Sequence, residues 1–429
     1  MTSTLLIRNA SELVTVRGAG GSPRTGTEMD DLGIIKNGAA AIEDGRIVAL
    51  GQSDEIAARF SWADTVIDAT NKVVLPGFVD CHTHLVFGGS REDEFVQKIQ
   101  GRSYLEILNS GGGILSTVDR TRQALVCPEA LLERAHGFLG TMLAFGTTTV
   151  EIKTGYGLSQ ESELGMLKVI ARLKDSGPVD IVSTFLGAHA LPGEYRDRRD
   201  DYVRLVLGML ETVKTGSLAE YCDVFVEQGA FDASEARTIL AKAREHGLKL
   251  KLHAGEFSDI GGVEVGVELG ATSIDHLEHI SDRGMALMAD KRTVGVLLPG
   301  VPFHLMTDRY APARKLIAAG VPIALATDFN PGSCPTLSMQ SIIALACRQL
   351  KMTPAEAISA ATINAACALD RGNEVGSIEV GKKADIIIMD IPNHRQLPYW
   401  FGINLVDTVV KKGVIVRSTN GYTDEALLT

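Results

Sequence analysis

Two histidines, His82 and His84, are separated by a single residue in the segment PGFVDCHTH. Alternate residues of a β-strand face the same side and lie roughly 6.6 Å apart along the chain, so two imidazoles at this spacing can bind one metal ion. The motif alone is weak evidence, because histidines also fall at this spacing by accident. A metal site is predicted only if further ligands meet these two.

Three such side chains follow later strand-like runs. His253 ends the run KLKLH, His276 ends SIDH, and Asp328 follows PIALAT. If these runs are parallel barrel strands, all three side chains lie at the C-terminal mouth, where barrel enzymes carry their catalytic groups. Imidazole nitrogens with one carboxylate suit zinc or iron better than magnesium or calcium, which prefer oxygen ligands. We therefore predict one transition-metal ion. The alternative, that these are structural histidines with hydrogen bonds inside a barrel, does not explain why all of them lie at strand ends.

A carboxylate, Glu256, follows His253 by three positions in HAGE. At this spacing its carboxyl group can enter the same cavity and transfer protons as a general acid or base. A glutamate after a strand can also simply stabilise the start of a helix through the helix dipole. Spacing alone leaves both interpretations open.

Strand-like patterns alternate with helix-like patterns from residue 77 to residue 375, and these elements must position the histidines and carboxylates. The eight strand-like runs are FVDCHTH, TTTVEIKTG, DIVSTFLGAHA, YCDVFVE, KLKLHAGE, SIDHLEH, TVGVLLPG and PIALATD. Nearly all are separated by a helical pattern, which predicts a closed (β/α)8 barrel of the α/β class. The chain contains neither GxGxxG nor GxxxxGK[ST], and the glycine cluster at residues 111–113 is interpreted as a loop bordering the active site.

The two ends of the chain have a different texture. Residues 1–76 and 376–429 contain short valine- and isoleucine-rich runs broken by polar turns. Because chain ends often lie close together at a domain surface, both ends are predicted to form one small β-sandwich domain. The stretch Gly18 to Asp30 is interpreted as a surface insertion in that domain.

Composition narrows the partners and the compartment. The chain has 429 residues, 45% of them hydrophobic and 22% charged, with a formal net charge of −11. The negative charge argues against nucleic acid or anionic lipid as a partner. No signal sequence and no apolar run of roughly 18 residues is found, so no membrane association is expected. The six cysteines form no CxxC pair, which is typical of a reducing cytoplasm, and Cys81 is interpreted as a buried thiol.

Taken together, these motifs resemble the amidohydrolases, and the segments SREDEF, KTGYG, LKLHAGEFSD and DFNPGS are similar in particular to the imidazolonepropionase family. The resemblance extends over nearly the whole chain. It implies that the metal ligands are His82, His84, His253 and Asp328. It implies that the substrate is bound by Arg91, Tyr156, His189, Glu256, Asn330, Gly332 and Ser333. It gives His276 a catalytic role beside Glu256 and Asp328, and Tyr104 in RSYLEI also matches the family pattern.

The resemblance also implies a reaction. Metal-activated water would hydrolyse the cyclic amide of 4-imidazolone-5-propanoate to N-formimino-L-glutamate, a step of histidine degradation, in a homodimer with one zinc or iron ion per subunit. An aminohydrolase like guanine or cytosine deaminase is the alternative enzyme, and a non-catalytic scaffold is a third reading. A scaffold has no physical reason to collect metal-binding side chains at one mouth.

Two charged residues bear on these alternatives. The fourth strand-like run, YCDVFVE, offers no lysine of the kind that is carbamylated in binuclear relatives, so a mononuclear site is expected. Lys153 is interpreted as a solvated or ion-paired lysine.

A guanidinium at Arg91 could pair with the propionate carboxylate, which guanine and cytosine lack. The alternative for Arg91 is a surface ion pair with Glu92 or Asp93.

Overall fold

A computed structural model describes residues 3–18, 20–102 and 112–419 of the chain. Its strands are β1 Thr4–Val14, β2 Ile34–Glu43, β3 Arg46–Gln52, β4 Thr65–Asp68, β5 Val73–Pro76, β6 Phe78–Asp80, β7 Thr147–Lys153, β8 Asp180–Ala188, β9 Tyr221–Val226, β10 Lys249–Ala254, β11 Ser273–His276, β12 Val294–Leu297, β13 Ile323–Leu325, β14 Ile386–Met389, β15 Val406–Lys411 and β16 Val414–Ser418.

The helices are α1 Ser53–Arg59, α2 Glu92–Ile99, α3 Ile114–Ala124, α4 Pro128–Ala144, α5 Gln160–Lys174, α6 Arg199–Thr215, α7 Ala233–Glu245, α8 Gly262–Leu269, α9 Asp282–Lys291, α10 Gly300–Leu305, α11 Ala313–Ala318, α12 Met339–Gln349, α13 Pro354–Ala361, α14 Ile363–Cys367 and α15 Gln396–Tyr399. Two short 3-10 helices span Gly26–Asp30 and Gly193–Tyr195. Among these helices, none is both long and apolar enough to cross a membrane.

Strands β6 to β13 form a parallel sheet in which each strand pairs with the next one in the chain. The sheet closes through a parallel bridge between Thr83 and Phe329, just beyond the ends of β6 and β13. There the amide of Asp328 donates to the carbonyl oxygen of His82 at 3.0 Å. Each of the eight predicted runs contains one of these strands, so the predicted barrel is confirmed.

The remaining eight strands come from both ends of the chain and form one mixed sheet in the order β16-β15-β14-β5-β1-β2-β3, with β4 beside β1. Strands β5 and β14 pair in antiparallel register, with Ile387 opposite Leu75. Side chains alternate between the two faces, because Val74 lies in the core of the small sheet whereas Leu75 and Ile387 lie in the barrel core. The predicted second β domain built from both ends is confirmed, and its boundaries at residues 76 and 376 stay a prediction.

Several outer helices begin at residues that satisfy their free backbone N–H groups. Asp232 accepts from the amides of Ser234 and Glu235 at the start of α7, and the Glu235 side chain accepts from the amide of Asp232. Thr353 and Glu356 form the same reciprocal pair at the start of α13. Capping fixes where each helix begins and so helps to set the loops that surround the mouth of the barrel.

Most of the described residues from Gly18 to Asp30 are exposed or half-buried, as a surface stretch would be, but Arg24 and Met29 are buried. Met29 is fully buried in the barrel core, and its carbonyl oxygen accepts from Ser359 Oγ at 2.8 Å. The amide of Arg24 donates to Asn364 Oδ1 at 2.7 Å. A polar, glycine-rich composition suggested exposure, but two anchor residues attach the segment to helices α13 and α14.

Candidate active site

The four predicted metal ligands come together at the C-terminal mouth of the barrel. Oδ1 of Asp328 lies 3.3 Å from Nε2 of His82 and 3.4 Å from Nε2 of His84. Nε2 of His253 lies 3.4 Å from Nε2 of His84. All four side chains are buried. One carboxylate oxygen and three imidazole nitrogens therefore lie around a common point at the ends of the barrel strands.

The donor atoms themselves fit a bound cation. Nε2 of His82 and Oδ1 of Asp328 are buried and have no hydrogen-bond partner within the described ranges. Buried polar atoms without partners are rare, and each one calls for an explanation such as an ion. Three imidazole nitrogens and one carboxylate oxygen form a set that zinc and iron accept. Clusters of His82, His84 and Asp328 and of His82, His253 and His276 are both close enough to hold an ion.

Two carboxylates hold the far nitrogens of these imidazoles. Nδ1 of His82 lies 2.6 Å from Oδ2 of Asp275, and Nδ1 of His253 lies 3.0 Å from Oδ2 of Asp223. The hydrogen bond from Nδ1 of His82 to Asp275 fixes the tautomer of His82, so its lone pair stays on Nε2. His82 is therefore pre-oriented toward the shared point, and His253 lies beside the carboxylate of Asp223 without a hydrogen bond at Nδ1 within the described residues.

Two lysines beneath the histidines balance these carboxylates. Lys153 lies 2.9 Å from Glu151 and 2.8 Å from Asp223. Lys251 lies 2.9 Å from the other oxygen of Glu151. All these side chains are fully buried, and an unpaired charge at such a depth would be costly.

Of the two readings of Lys153, the structure supports an ion pair over solvation. Burial acts to lower the pKa of Lys153, but Asp223 and Glu151 raise it more, so its side chain is an ammonium. An ammonium held by carboxylates is not a nucleophile for carbon dioxide, so Lys153 offers no carbamate bridge for a second metal ion.

Glu256 and His276 occupy the side of the mouth next to the histidine cluster. Oε2 of Glu256 lies 3.7 Å from Nε2 of His276. Burial, followed by the neighbouring charges of Glu278 and Asp328, raises the pKa of Glu256 well above its usual value. A raised pKa favours the protonated carboxyl group, which a general acid requires.

Backbone strain is concentrated at the same place. His276 has φ +86°, Leu277 has φ +72° and Asp328 has φ +50°. Residues with a side chain rarely adopt positive φ, and such conformations cluster at functional sites, where the surrounding structure enforces them. Two of the three strained residues carry side chains of the predicted site.

His189 and Tyr156 lie against His84. The imidazoles of His189 and His84 are stacked, with ring centroids 4.9 Å apart, and the Tyr156 ring lies 5.4 Å from that of His189. Nδ1 of His189 lies 3.0 Å from the carbonyl oxygen of Gly155, so Nδ1 carries the hydrogen and Nε2 is free to accept one. Burial and the nearby His84 lower the pKa of His189 to about 3, so its ring is neutral.

Arg91 lies at the start of α2, and its acidic partner is Glu94 rather than Glu92 or Asp93. Both Nε and Nη2 of Arg91 donate to Oε2 of Glu94, at 2.9 and 2.6 Å. Oε1 of Glu94 accepts from the amide of Gly113 at 3.0 Å. The guanidinium is thus fixed by a partly buried pair, and the predicted glycine loop supports it. Of that loop, Gly111 lies outside the described residues.

The predicted substrate loop of Asn330, Gly332 and Ser333 connects Arg91 to Asp328. A Cβ atom at Gly332 would overlap Nη1 of Arg91, so only glycine lets the guanidinium approach this closely. Oγ of Ser333 lies 3.5 Å from Oδ2 of Asp328. The Asn330 amide group binds the carbonyl oxygen of Asp328 and the amides of Gly332 and Ser333, so its side chain shapes the loop. Tyr104 lies outside the described residues.

Sequence reasoning missed the second layer of charges, namely Glu151, Asp223, Lys251 and Asp275, and also Glu94 and Lys98. A signal for three of them was present. Within predicted barrel strands, Glu151 and Lys153, Lys251 and His253, and Ser273 and Asp275 are pairs two residues apart. Charged residues on one face of a barrel strand must point inward together or outward together, and outward positions pack against helices. This pattern indicates a polar barrel interior.

Comparison with known proteins agrees with this geometry. Residues 73–416 match the amidohydrolase family. An imidazolonepropionase of Alkaliphilus oremlandii is 51% identical over 413 residues, covering 96% of this chain and 97% of the relative. Imidazolonepropionases of Geobacillus kaustophilus and Bacillus cereus are 50% and 47% identical, covering 96% and 97% of this chain and 97% of each relative.

Solved structures share the fold at much lower sequence identity. A zinc-bound adenosine deaminase of Xanthomonas campestris superposes with a TM-score of 0.71 at 20% identity, covering 99% of this chain and 96% of that one. Guanine deaminase of E. coli gives a TM-score of 0.70 at 14% identity, covering 98% of this chain and 100% of that one. These structures show the architecture alone. With a family match over most of its length and relatives of about half identity along nearly all of it, the chain belongs to the amidohydrolase family and, within it, to the imidazolonepropionases.

Proposed function

We propose that the protein hydrolyses the ring amide of 4-imidazolone-5-propanoate and releases N-formimino-L-glutamate. Besides family membership, the observation that carries this proposal is the partly buried guanidinium of Arg91, which the loop of Gly332 and Ser333 connects to Asp328. A fixed cation next to the cluster matches a substrate with a carboxylate arm. Guanine and cytosine offer no such group.

The residues that hold the metal ion are proposed to be His82, His84, His253 and Asp328. A zinc or iron ion bound there acts as a Lewis acid and makes water nucleophilic near neutral pH. The ligand set supports one ion per subunit, and the ion-paired Lys153 supports a mononuclear site.

The chain's own residues then move the protons. Asp328 accepts a proton from the attacking water, and the N–H of His276 stabilises the negative charge that develops on the carbonyl oxygen. Glu256 delivers its proton to the ring nitrogen as the bond between that nitrogen and the carbonyl carbon breaks. The carbonyl carbon becomes the new carboxylate, and the nitrogen stays in the product, so no ammonia is released.

The remaining predicted residues position the substrate. Nε2 of His189 is oriented to accept from an N–H group of the imidazolone ring, because its Nδ1 faces the carbonyl oxygen of Gly155. Tyr156 packs beside it, and Arg91 binds the propionate arm. Asn330 and Ser333 act by holding the loop in place. Tyr104 is proposed as a further substrate contact on family resemblance alone.

Two finer statements complete the proposal. The protein is expected to be a homodimer, as the resemblance implies. It is expected to work in the cytoplasm, since all six cysteines are free thiols and four of them are buried.

The test is to incubate the metal-loaded protein with imidazolone propionate and to follow loss of the substrate, formation of N-formimino-L-glutamate and release of ammonia in parallel. The expected result is one product molecule per substrate molecule without ammonia. Guanine and cytosine serve as control substrates. Ammonia release from either of them, with no turnover of imidazolone propionate, would establish the deaminase alternative instead.

A further inference from the structure

Lys98 is an ammonium group beside the predicted carboxylate anchor that the described part of the chain leaves without an acidic partner. It lies on α2, one helical turn after Glu94, and its side chain is half-buried. Nζ donates to the carbonyl oxygen of Gly332 at 3.3 Å. Lysine side chains usually reach into water, so one held against a loop at the mouth of a barrel calls for an explanation.

Arg91 already shares its positive charge with a carboxylate. Nε and Nη2 of Arg91 both donate to Oε2 of Glu94. These two nitrogens form one edge of the guanidinium through which it can pair with both oxygens of a carboxylate. Of the five N–H donors of the guanidinium, one on Nη2 and the two on Nη1, the atom that faces Gly332, remain for an incoming anion. Because Glu94 already offsets the positive charge of Arg91, these donors bring little net charge to that anion.

Charge at this place is unbalanced. Two cations, Arg91 and Lys98, share the single carboxylate of Glu94. His304 stacks on Phe95 of the same helix with ring centroids 5.1 Å apart. Burial, followed by the charges of Lys98 and Arg91, lowers the pKa of His304 to about 4, so this imidazole is neutral and adds no charge. Among the described residues Glu94 forms its ion pair with Arg91, and Lys98 forms none, so one positive charge is left over there, which favours an anionic group.

The leftover cation lies close to the reacting centre. Lys98 contacts the backbone of Gly332, and the next residue, Ser333, contacts Asp328, one of the predicted metal ligands. The arm of imidazolone propionate is also short, because only two methylene groups separate its carboxylate from the ring. A cation beside this loop is therefore placed on the side of the site where the carboxylate arm of the substrate is proposed to bind.

We propose that Lys98 is a further substrate-binding residue, whose ammonium group binds the terminal carboxylate of the substrate together with Nη1 of Arg91. This inference rests on the proposed function, and it adds a specificity-determining residue to that site. Arg91 orients the substrate carboxylate through its fixed planar guanidinium, and Lys98 adds a second positive charge.

The experiment compares the wild type with Lys98→Met and Lys98→Arg. Lys168→Met is the matched control, because Lys168 is an exposed lysine on α5 without an acidic partner in the described chain. Each metal-loaded protein is assayed with imidazolone propionate and with its uncharged methyl ester. Metal content and the thermal unfolding midpoint are measured for each variant.

Lys98→Met is expected to raise KM for the acid by about 10- to 100-fold, the loss expected for one charged hydrogen bond, with little change in kcat. The ester should lose almost nothing, and Lys98→Arg should recover most of the affinity for the acid. An unchanged KM in Lys98→Met, or an equal loss for acid and ester, would overturn the role of Lys98 alone. A wild type that does not hydrolyse the acid would overturn the proposed function as well.

Discussion

Nδ1 of His82 and Oδ2 of Asp275 lie 2.6 Å apart, and both side chains are fully buried. The two residues lie on strands far apart in the chain, and the barrel brings them together. Asp275 is held in turn by Ser273, whose hydroxyl donates to its other oxygen at 2.6 Å. A carboxylate fixed in this way holds the His82 ring in one orientation, as the proposed role of His82 as a metal ligand requires.

We expect Asp275→Asn to weaken metal binding by about 10- to 100-fold, because the amide no longer fixes the tautomer of His82. Competition with a coloured chelator measures the affinity without any assay of turnover. Ser273→Ala is the milder control, since it removes one hydrogen bond and leaves the carboxylate. If Asp275→Asn bound metal as tightly as the wild type, the orienting role would be refuted.

His253→Ala and Asp328→Ala should each lose most of the bound metal and most of the rate. Exhaustive chelation of the wild type should likewise abolish turnover but leave the barrel folded, since its strands and helices do not depend on one ion at the mouth. Metal analysis, circular dichroism and rate are measured on the same samples. Near-normal rates in either variant, or full activity of protein shown to be metal-free, would contradict the ligand assignment.

Glu256→Gln should keep the metal ion and lose about 100- to 10,000-fold in kcat, because the amide preserves shape but cannot deliver a proton. The measurement is metal content together with single-turnover rate. Loss of metal in this variant would show that Glu256 is a ligand instead of a proton donor.

Arg91→Ala should cost about 2 to 5 kcal/mol in apparent transition-state binding, because a desolvated carboxylate is left without its partner. Arg91→Lys should rescue only part of the loss, since an ammonium lacks the planar fork that also binds Glu94. The comparison is kcat/KM for imidazolone propionate and for an analogue without the carboxylate. An equal preference for the acid in wild type and Arg91→Ala would remove Arg91 as the anchor.

The carboxylate of Asp180 at the start of β8 joins the barrel to the small sheet. It lies 3.0 Å from Lys411 and 2.8 Å from Lys412. Burial acts to raise the pKa of Asp180, but the lysines lower it more, to about 2. A carboxyl with a lowered pKa stabilises the fold above its unfolded pKa and loses this effect as the pH falls toward its folded pKa.

Asp180→Asn should therefore lower the free energy of unfolding at pH 7 by about 2 kcal/mol, and the difference from wild type should shrink as the pH falls from about 4 toward 2. Urea unfolding at several pH values provides the measurement, with the exposed Asp175→Asn as control. A difference that is the same at every pH would show that the ion pairs do not cause it.

The barrel and the cluster at its mouth could be predicted because the relevant signals are local. Strand and helix periods are read from neighbouring residues, and the ends of parallel strands necessarily meet, so His82, His253 and Asp328 had to converge. The partners of buried charges depend instead on which side chains the barrel interior brings together. For that reason the pairing of Asp223 with His253 and of Asp275 with His82 could not be deduced.

One ion pair and one buried side chain differ from what the sequence suggested, and each depends on a single residue. Arg91 pairs with Glu94 because residues three apart share one face of a helix, whereas the adjacent Glu92 and Asp93 point elsewhere. Met29 lies in the barrel core within a polar stretch that otherwise indicates exposure. The average composition of a segment does not reveal a single buried residue such as Met29.

The hydrogen bond between the amide of Asp328 and the carbonyl of His82 joins the first barrel strand to the loop after the last. A ribosome makes His82 and His84 long before Asp328, so the growing chain has no complete set of ligands until the final barrel strand has emerged. A complete site, as proposed for these residues, therefore forms only when the barrel is nearly closed.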